Sequence, residues 1–415
     1  MLRLPTRLDQ PSARQARNDV RQFLIGSQTI GESSPEFQAQ LERAYEQKLR
    51  PLCRCQETPV PMYIARVDGQ FLIKRMPLSG RDHDAGCSSY DPPYELSGLG
   101  PLIGNAIQID AATGAAMLKL DFSLSKRGNR SVSKPSSEPS DTVRSTTKKL
   151  SIKAMLHYLW ETAELTEWTS IWAGRRGWGR VRSSLLNAAR QMIVRGGPLS
   201  DILFIPEVFH QEEREGISTR RAAMLAGAQT TGPGPRKLMM IVAEVKEFSQ
   251  ARDGHKIMVR HLPFPFMIDE SAWRRLNARY ETDLELWRSN EDSHLIAIAT
   301  FGISGVGIAT IEEVAMMVVN ENWIPFENVQ EQRLLERLSG LKRRSVKGLR
   351  FDLSRAQPIA SVTLPQAQPA PVAMFIVPTN ADEDFEVALN EMIAARAEMT
   401  PWIWRVADGE MPRLP

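Results

Sequence analysis

The sequence predicts a mixed α/β protein of the α+β kind: a β-hairpin module first, a helical segment in the middle, and a mixed sheet with helices towards the C-terminus. Three observations lead there. Short apolar runs of strand length recur, among them Leu238-Met-Met-Ile-Val-Ala-Glu-Val-Lys246, whose continuous apolar character is that of a buried strand. Runs with helical periodicity alternate with them, at residues 152–159, 271–287 and 383–397, where apolar side chains recur on one face. The dipeptide Asp68-Gly69 joins strand-like residues 62–65 to residues 70–73, a strong hairpin signal.

The hairpin lies inside the most distinctive stretch of the chain. Cys53-Arg54-Cys55 is followed, 27 residues later, by His83-Asp84-Ala85-Gly86-Cys87. These are the only three cysteines in 415 residues, and an odd number does not make a disulfide framework. A turn between Cys53 and Cys55 lets both sulfurs face one ion, and a hairpin of this length returns the 81–87 loop to them. Three thiols and an imidazole form a closed Cys₃His set, so the expected cofactor is a structural Zn²⁺ held by Cys53, Cys55, His83 and Cys87. Asp82 and Asp84 are placed to orient His83. The alternative is three buried cysteines and a surface histidine, but confinement of every thiol to a 35-residue window argues for a metal.

Composition narrows the rest. With 42% hydrophobic and 24% charged residues the chain is of ordinary globular make-up, long enough for two or three domains. The net charge of +3 is too small to argue for nucleic acid without local clustering. The longest apolar stretch, residues 294–319, is broken by glycines and by Glu312-Glu313, so no membrane span is expected. Arg3 and Arg7 are not followed by an apolar core, which leaves no signal peptide, and free thiols fit a reducing cytoplasm.

Taken in order, residues 1–122 read as a helical lead-in plus the zinc module, with Phe37, Leu41, Ala44, Tyr45 and Lys48 at helical spacing. Residues 123–149 hold eight serines, two prolines and seven Lys/Arg against Glu138 and Asp141, the composition of a flexible basic linker. In residues 150–200, Ser151 caps a first helix and a second is expected from about Arg180 to Val194, a pair resembling a helix-turn-helix. Between Trp168 and Ser200 there are six arginines and no acidic residue. Arg175, Arg176, Arg180, Asn187 and Arg190 are therefore candidate contacts to DNA; the alternative is an arginine face paired within the protein. Residues 201–341 read as a mixed α/β domain, with a strand over 201–209 and a helix over 311–319. Residues 342–415, opened by a basic run of five from Lys342 to Arg350, read as a C-terminal sheet module.

Glu244-Val245-Lys246 at a strand end has the Glu-x-Lys form of restriction-endonuclease-type sites, with Glu207 as a second carboxylate. This is the alternative, enzymatic reading; solvated strand ends of the same form are common. The C-terminal module is similar in outline, but Pro365, Gln366 and Phe375 stand where carboxylates are needed.

The segments Arg50-Pro-Leu-Cys-Arg-Cys, Pro61-Met-Tyr-Ile-Ala, Lys74-Arg-Met-Pro, the His83/Cys87 pair, Ser97-Gly-Leu-Gly, His157-Tyr-Leu-Trp-Glu, Trp323-Ile-Pro and Lys347-Gly-Leu-Arg-Phe resemble an uncharacterised bacterial family, a domain of unknown function. The resemblance covers most of the chain and implies a setting on proteobacterial plasmids and integrative conjugative elements, with a C-terminal part like a degenerate restriction-endonuclease module. It implies no activity. The leading expectation is a nucleic-acid-associated accessory protein of a mobile element, not an enzyme, with DNA and other proteins of a conjugative element as partners. A protein-interaction scaffold is a third reading.

Overall fold

The computed structural model describes residues 21–67, 69–110, 113–126, 149–229 and 236–415. The expected basic linker falls almost wholly outside the described residues, as do Asp68 and the 232–235 loop. The chain forms two compact units that divide between Pro93 and Tyr94, not at residue 122.

The first unit contains β1 (Gln22–Ile25), β2 (Gln28–Gly31), α1 (Phe37–Glu46), β3 (Leu52–Cys53), β4 (Val60–Val67) and β5 (Gln70–Arg75). The strands form one antiparallel sheet in the order β2-β1-β3-β4-β5. The helical lead-in expectation needs correction here, because a hairpin precedes the helix. Phe23 and Ile25 alternate inward on β1 and Ile30 on β2, a period of two that the apolar Leu24 between the first pair hides in the sequence. Phe37, Leu41 and Ala44 do form the buried face of α1, while Tyr45 is exposed. They pack with Phe23, Met62, Phe71 and Cys53 into one core, against which Cys55 and Cys87 rest. In the β4–β5 hairpin Val67 is opposite Gln70. Gly69 takes φ +82°, a conformation open to glycine in so tight a turn.

The second unit begins with β6 (Ile107–Ile109), β7 (Ala116–Leu118), β8 (Ser125–Lys126), α2 (Ile152–Thr162), β9 (Glu167–Trp168), α3 (Trp178–Arg190), β10 (Met192–Val194), β11 (Gly197–Pro198) and β12 (Leu203–Phe204). It continues with α4 (Arg214–Leu225), β13 (Arg236–Lys237), β14 (Met239–Ala251), β15 (Gly254–Val259), β16 (Phe266–Ile268), α5 (Glu270–Arg279), α6 (Glu281–Ser289), β17 (His294–Ile303) and β18 (Ala309–Val319). It ends with α7 (Val329–Gly340), β19 (Ser345–Lys347), β20 (Val362–Leu364), β21 (Val372–Val377), α8 (Glu383–Ala394) and β22 (Thr400–Arg405).

The pairings explain why the expected subdivisions of residues 94–415 do not stand apart. β7 pairs in parallel with β10, tying residues 116–118 to the helical segment. β9 pairs with β19 at the edge of the C-terminal sheet β22-β21-β20-β19-β9. The central sheet closes on itself: β14 pairs with β17 along Met239–Glu244 and with β15 along Val245–Ala251, and β16 and β18 complete the ring. Residues 311–319 lie in strand β18, not in a helix, because the apolar residues Val314 to Val319 pair one to one with Ala299 to His294 of β17, with a register shift beside Glu312. The expected 201–209 strand shrinks to Leu203–Phe204. The expected 271–287 helix breaks at Tyr280 into α5 and α6. Parallel β21 and β22 are joined through α8, the crossover a parallel pair requires. No helix among the described residues is long and apolar enough to cross a membrane.

Candidate metal centre

Cys53 ends β3, where it pairs with Phe23 of β1 and Val60 of β4. It is thereby fixed at 2% exposure over the first unit's core. Cys55 follows two residues beyond the end of the strand. The other two ligands come from the loop after β5, whose start is a single helical turn at Gly80–Asp82. Gly80 is required there, since a Cβ would lie 2.4 Å from the Asp91 Cβ. Asp91 also pairs with Arg75 at the end of β5, so both ends of the loop are pinned to the hairpin.

The four donor atoms all lie within 4.8 Å of one another. Cys53 Sγ is 3.9 Å from Cys87 Sγ, Cys55 Sγ is 3.3 Å from His83 Nδ1, and Cys87 Sγ is 3.9 Å from His83 Nδ1. A tetrahedral ion with metal–sulfur bonds of about 2.3 Å and a metal–nitrogen bond of about 2.0 Å has sulfur–sulfur edges of about 3.8 Å and sulfur–nitrogen edges of about 3.5 Å. These three of the six edges are within about 0.4 Å of those values, and the remaining donor pairs lie within 4.8 Å, so the cluster could hold one metal ion. Backbone N–H groups of Asp84 and Ser89 point at Cys55 Sγ (3.5 Å) and Cys87 Sγ (3.4 Å), which favours thiolates at both.

The electrostatics agree. The hydrogen bond from Cys53 draws the Cys87 thiol down to about 3, against the opposing effect of burial and with help from His83. The same contact with Cys87, then burial, pushes the Cys53 thiol up, and burial raises Cys55. A dication among the donors would favour ionisation of all three sulfurs. His83 is buried and offers Nδ1 to the centre, while its Nε2 has no hydrogen-bond partner among the described residues. The expected support from Asp82 and Asp84 is therefore corrected. Asp84 instead accepts the Gly86 N–H at 2.8 Å, and Asp82 lies 4.0 Å from Arg81.

The arginine-rich segment divides into inward and outward members. Arg175, Arg180 and Arg190 are exposed, Arg190 donates to the half-buried Asn187 at 2.6 Å, and the Arg180 guanidinium lies over the Trp172 ring. Arg176, expected to contact phosphate, is buried. It donates to the carbonyls of Leu165, Glu167 and Asn322 at 2.7–3.2 Å and locks three chain segments together. The helix-turn-helix expectation is also corrected: 15 residues carrying β9 separate α2 from α3, and α2 is buried along most of its length. Met192 and Ile193 belong to strand β10.

Glu244 is buried, and its Oε1 accepts from Arg260 Nε at 2.7 Å and His294 Nδ1 at 2.8 Å, while Lys246 is exposed. Glu207 accepts from Arg182 and Arg220 at 2.7–3.4 Å, and the Arg220 hydrogen bonds foremost hold its carboxyl below the usual range. Both carboxylates are thus already engaged by arginine.

A second cluster went unrecognised in the sequence, although the segments carrying the family resemblance supply it. On α2, His157 Nδ1 accepts the Phe351 N–H at 3.0 Å and Trp160 Nε1 donates to the Trp323 carbonyl at 3.2 Å. Phe351 and Trp323 both have left-handed φ, +54° and +61°, a strained state that needs surrounding support. Gly98 donates to the Leu349 carbonyl at 2.8 Å, and a Cβ on it would lie 1.8 Å from the Arg350 carbonyl oxygen. Between these backbone clamps lies an ion network. Lys347 is 3.0 Å from Glu331, both side chains at most 3% exposed, and Arg350 and Lys153 reach Glu327 at 3.0 and 3.6 Å. Burial raises the Glu327 carboxyl, but Lys153, Arg350 and Lys347 outweigh it and hold it at about 2. Burial, then Lys153, pushes the His157 imidazole down to about 3, leaving it neutral.

No curated protein and no solved structure matches the chain. The family model described as "Protein of unknown function (DUF1173)" matches residues 23–407, a span that includes the metal cluster and the ion network alike, and the chain belongs to that family.

Proposed function

We propose that the first unit is a zinc-stabilised module in a nucleic-acid-associated accessory protein. Cys53, Cys55, His83 and Cys87 hold one Zn²⁺ in a closed site. The observation that carries the zinc reading is the near-tetrahedral spacing of three sulfurs and one imidazole nitrogen. A set dominated by thiolates selects a borderline-soft ion such as zinc over magnesium or calcium. With four protein donors the site has no open position for substrate, so its role is structural. Free thiols held by a metal suit a reducing cytoplasm.

In this reading Arg175, Arg180 and Arg190, with Asn187, contact phosphates of DNA. Support comes from their exposure and from the lack of acidic residues between Trp168 and Ser200. A setting on mobile elements, with partners encoded there, rests on the family resemblance of the quoted segments. The nuclease reading through Glu244, Lys246 and Glu207 has less support, since a divalent cation would have to displace Arg260 from one carboxylate and Arg182 with Arg220 from the other. The test pairs metal content with DNA binding on one purified sample. One equivalent of zinc, lost in Cys87→Ser, and salt-sensitive DNA binding weakened in Arg175→Ala/Arg180→Ala are expected. Absence of zinc sinks the module, and unchanged DNA binding in the double variant sinks the arginine face.

A further inference from the structure

A cavity of about 290 Å³ opens between α3 and α4 at the end of β12. Its size is near the lower end of small-ligand sites, roughly 300–1,000 Å³. Helix α3 supplies Arg182, Leu186 and Arg190, and α4 supplies Ile217, Arg220, Arg221 and Met224. The spacings are four residues on α3 and three or four on α4, so each helix presents a single face. The wall is therefore mixed, with guanidinium groups beside aliphatic side chains.

The charge on that wall is lopsided. Arg182, Arg190, Arg220 and Arg221 face the space with Glu207 as the one carboxylate of the lining. Glu207 is already committed, bridging Arg182 of α3 and Arg220 of α4, and Arg182 Nε is fixed on the Ile205 carbonyl at 3.0 Å. Arg190 and Arg221 have only the Asn187 and Ser218 side chains and no carboxylate partner among the described residues. Two guanidinium forks are thus left over above an apolar floor that includes Leu203 and Leu262. His261, also in the lining, sits at φ +67° and accepts the Phe209 N–H at Nδ1, so its neutral ring carries the proton on Nε2.

We propose that this cavity binds a phosphate monoester attached to a compact apolar or aryl body. Guanidinium forks match phosphate oxygens in bidentate fashion. Two arginines lacking carboxylates suit a dianion better than a singly charged carboxylate. A volume of about 290 Å³ takes one such head with a small body, not a continuous nucleic-acid strand. The monoester could be a free small molecule or the terminal phosphate of a strand, and the two share the same head chemistry. The cavity shares Arg190 with the face read as contacting DNA, but Arg221 belongs to the cavity alone, and Arg175 and Arg180 do not line it.

The test titrates the full chain by calorimetry with phenyl phosphate, inorganic phosphate and benzoate. Phenyl phosphate should bind most tightly. Arg221→Met should weaken it about tenfold or more, the loss expected for a charge-assisted hydrogen-bond pair, and Met224→Trp should block it by filling the space. Arg180→Ala should leave it unchanged even where it weakens DNA binding, which separates this site from the helix face. Competition by a 5′-phosphorylated but not a 5′-hydroxyl oligonucleotide assigns the head to a strand end; competition by neither assigns it to a small molecule. No phenyl phosphate binding, equal binding of benzoate, or full affinity in a folded Arg221→Met variant would overturn the proposal.

Discussion

Acidification should destabilise the second unit through one histidine. His157 is 2% exposed, and burial holds it at about 3 against an ordinary value of 6.5. Below pH 6.5 the unfolded chain takes up a proton that the folded chain refuses, so stability falls as pH drops from 6.5 towards 3 and is fully retained above that window. At about 1.4 kcal/mol per pH step the whole effect is about 5 kcal/mol, and between about pH 7.5 and about pH 4.5 it is about 3 kcal/mol. Urea unfolding followed by tryptophan fluorescence reads this unit alone, since all nine tryptophans lie beyond residue 93. The control is His157→Asn, whose side-chain oxygen can still accept the Phe351 N–H but does not titrate. It should remove about 3 kcal/mol of the pH dependence while leaving that due to the carboxylates, Glu327 included. Equal pH slopes in the two proteins would refute the assignment of His157 as a buried neutral acceptor.

Further expectations concern the network and the metal. Lys347→Met should cost about 3–5 kcal/mol by stranding the buried Glu331 carboxylate, and adding Glu331→Leu should recover much of the loss; urea midpoints of the single and double variants decide it. Gly98→Ala should cost more than about 2 kcal/mol, because its Cβ would overlap the Arg350 carbonyl oxygen, an overpacking no side-chain rotation relieves. A urea midpoint within error of wild type would exclude that close approach. Removal of metal by a strong chelator, or Cys53→Ser, should loosen the first unit, seen as proteolysis within the 53–87 segment, while tryptophan fluorescence from the second unit is retained; equal proteolysis with and without metal would count against a structural ion.

The Cys₃His cluster that could hold a metal was legible in the sequence because its members are close along the chain. A hairpin of computable length separates the two pairs, and local geometry suffices to bring them together. The strands of the first sheet were only partly legible, since β1 and β2 are four residues each, the run Phe23-Leu24-Ile25 hides the alternation of the first and the second buries Ile30 alone. Residues 311–319 read as a helix because Ile311, Val314, Ala315 and Val318 fall at helical spacing around Glu312-Glu313, and pairing with β17 decided for a strand.

By itself the sequence determined the mixed α/β class, the Cys₃His set and the concentration of arginine between Trp168 and Ser200, all properties of composition and short spacing. Only the tertiary structure decided which arginines face solvent. Arg176 turns inward because Leu165, Glu167 and Asn322 present three carbonyls at one point, and the last of these is 146 residues away. The same holds for His157, which meets Phe351 across 194 residues. A buried charge or a neutral buried histidine is stable only where its partners converge, and that convergence is a property of the packed fold.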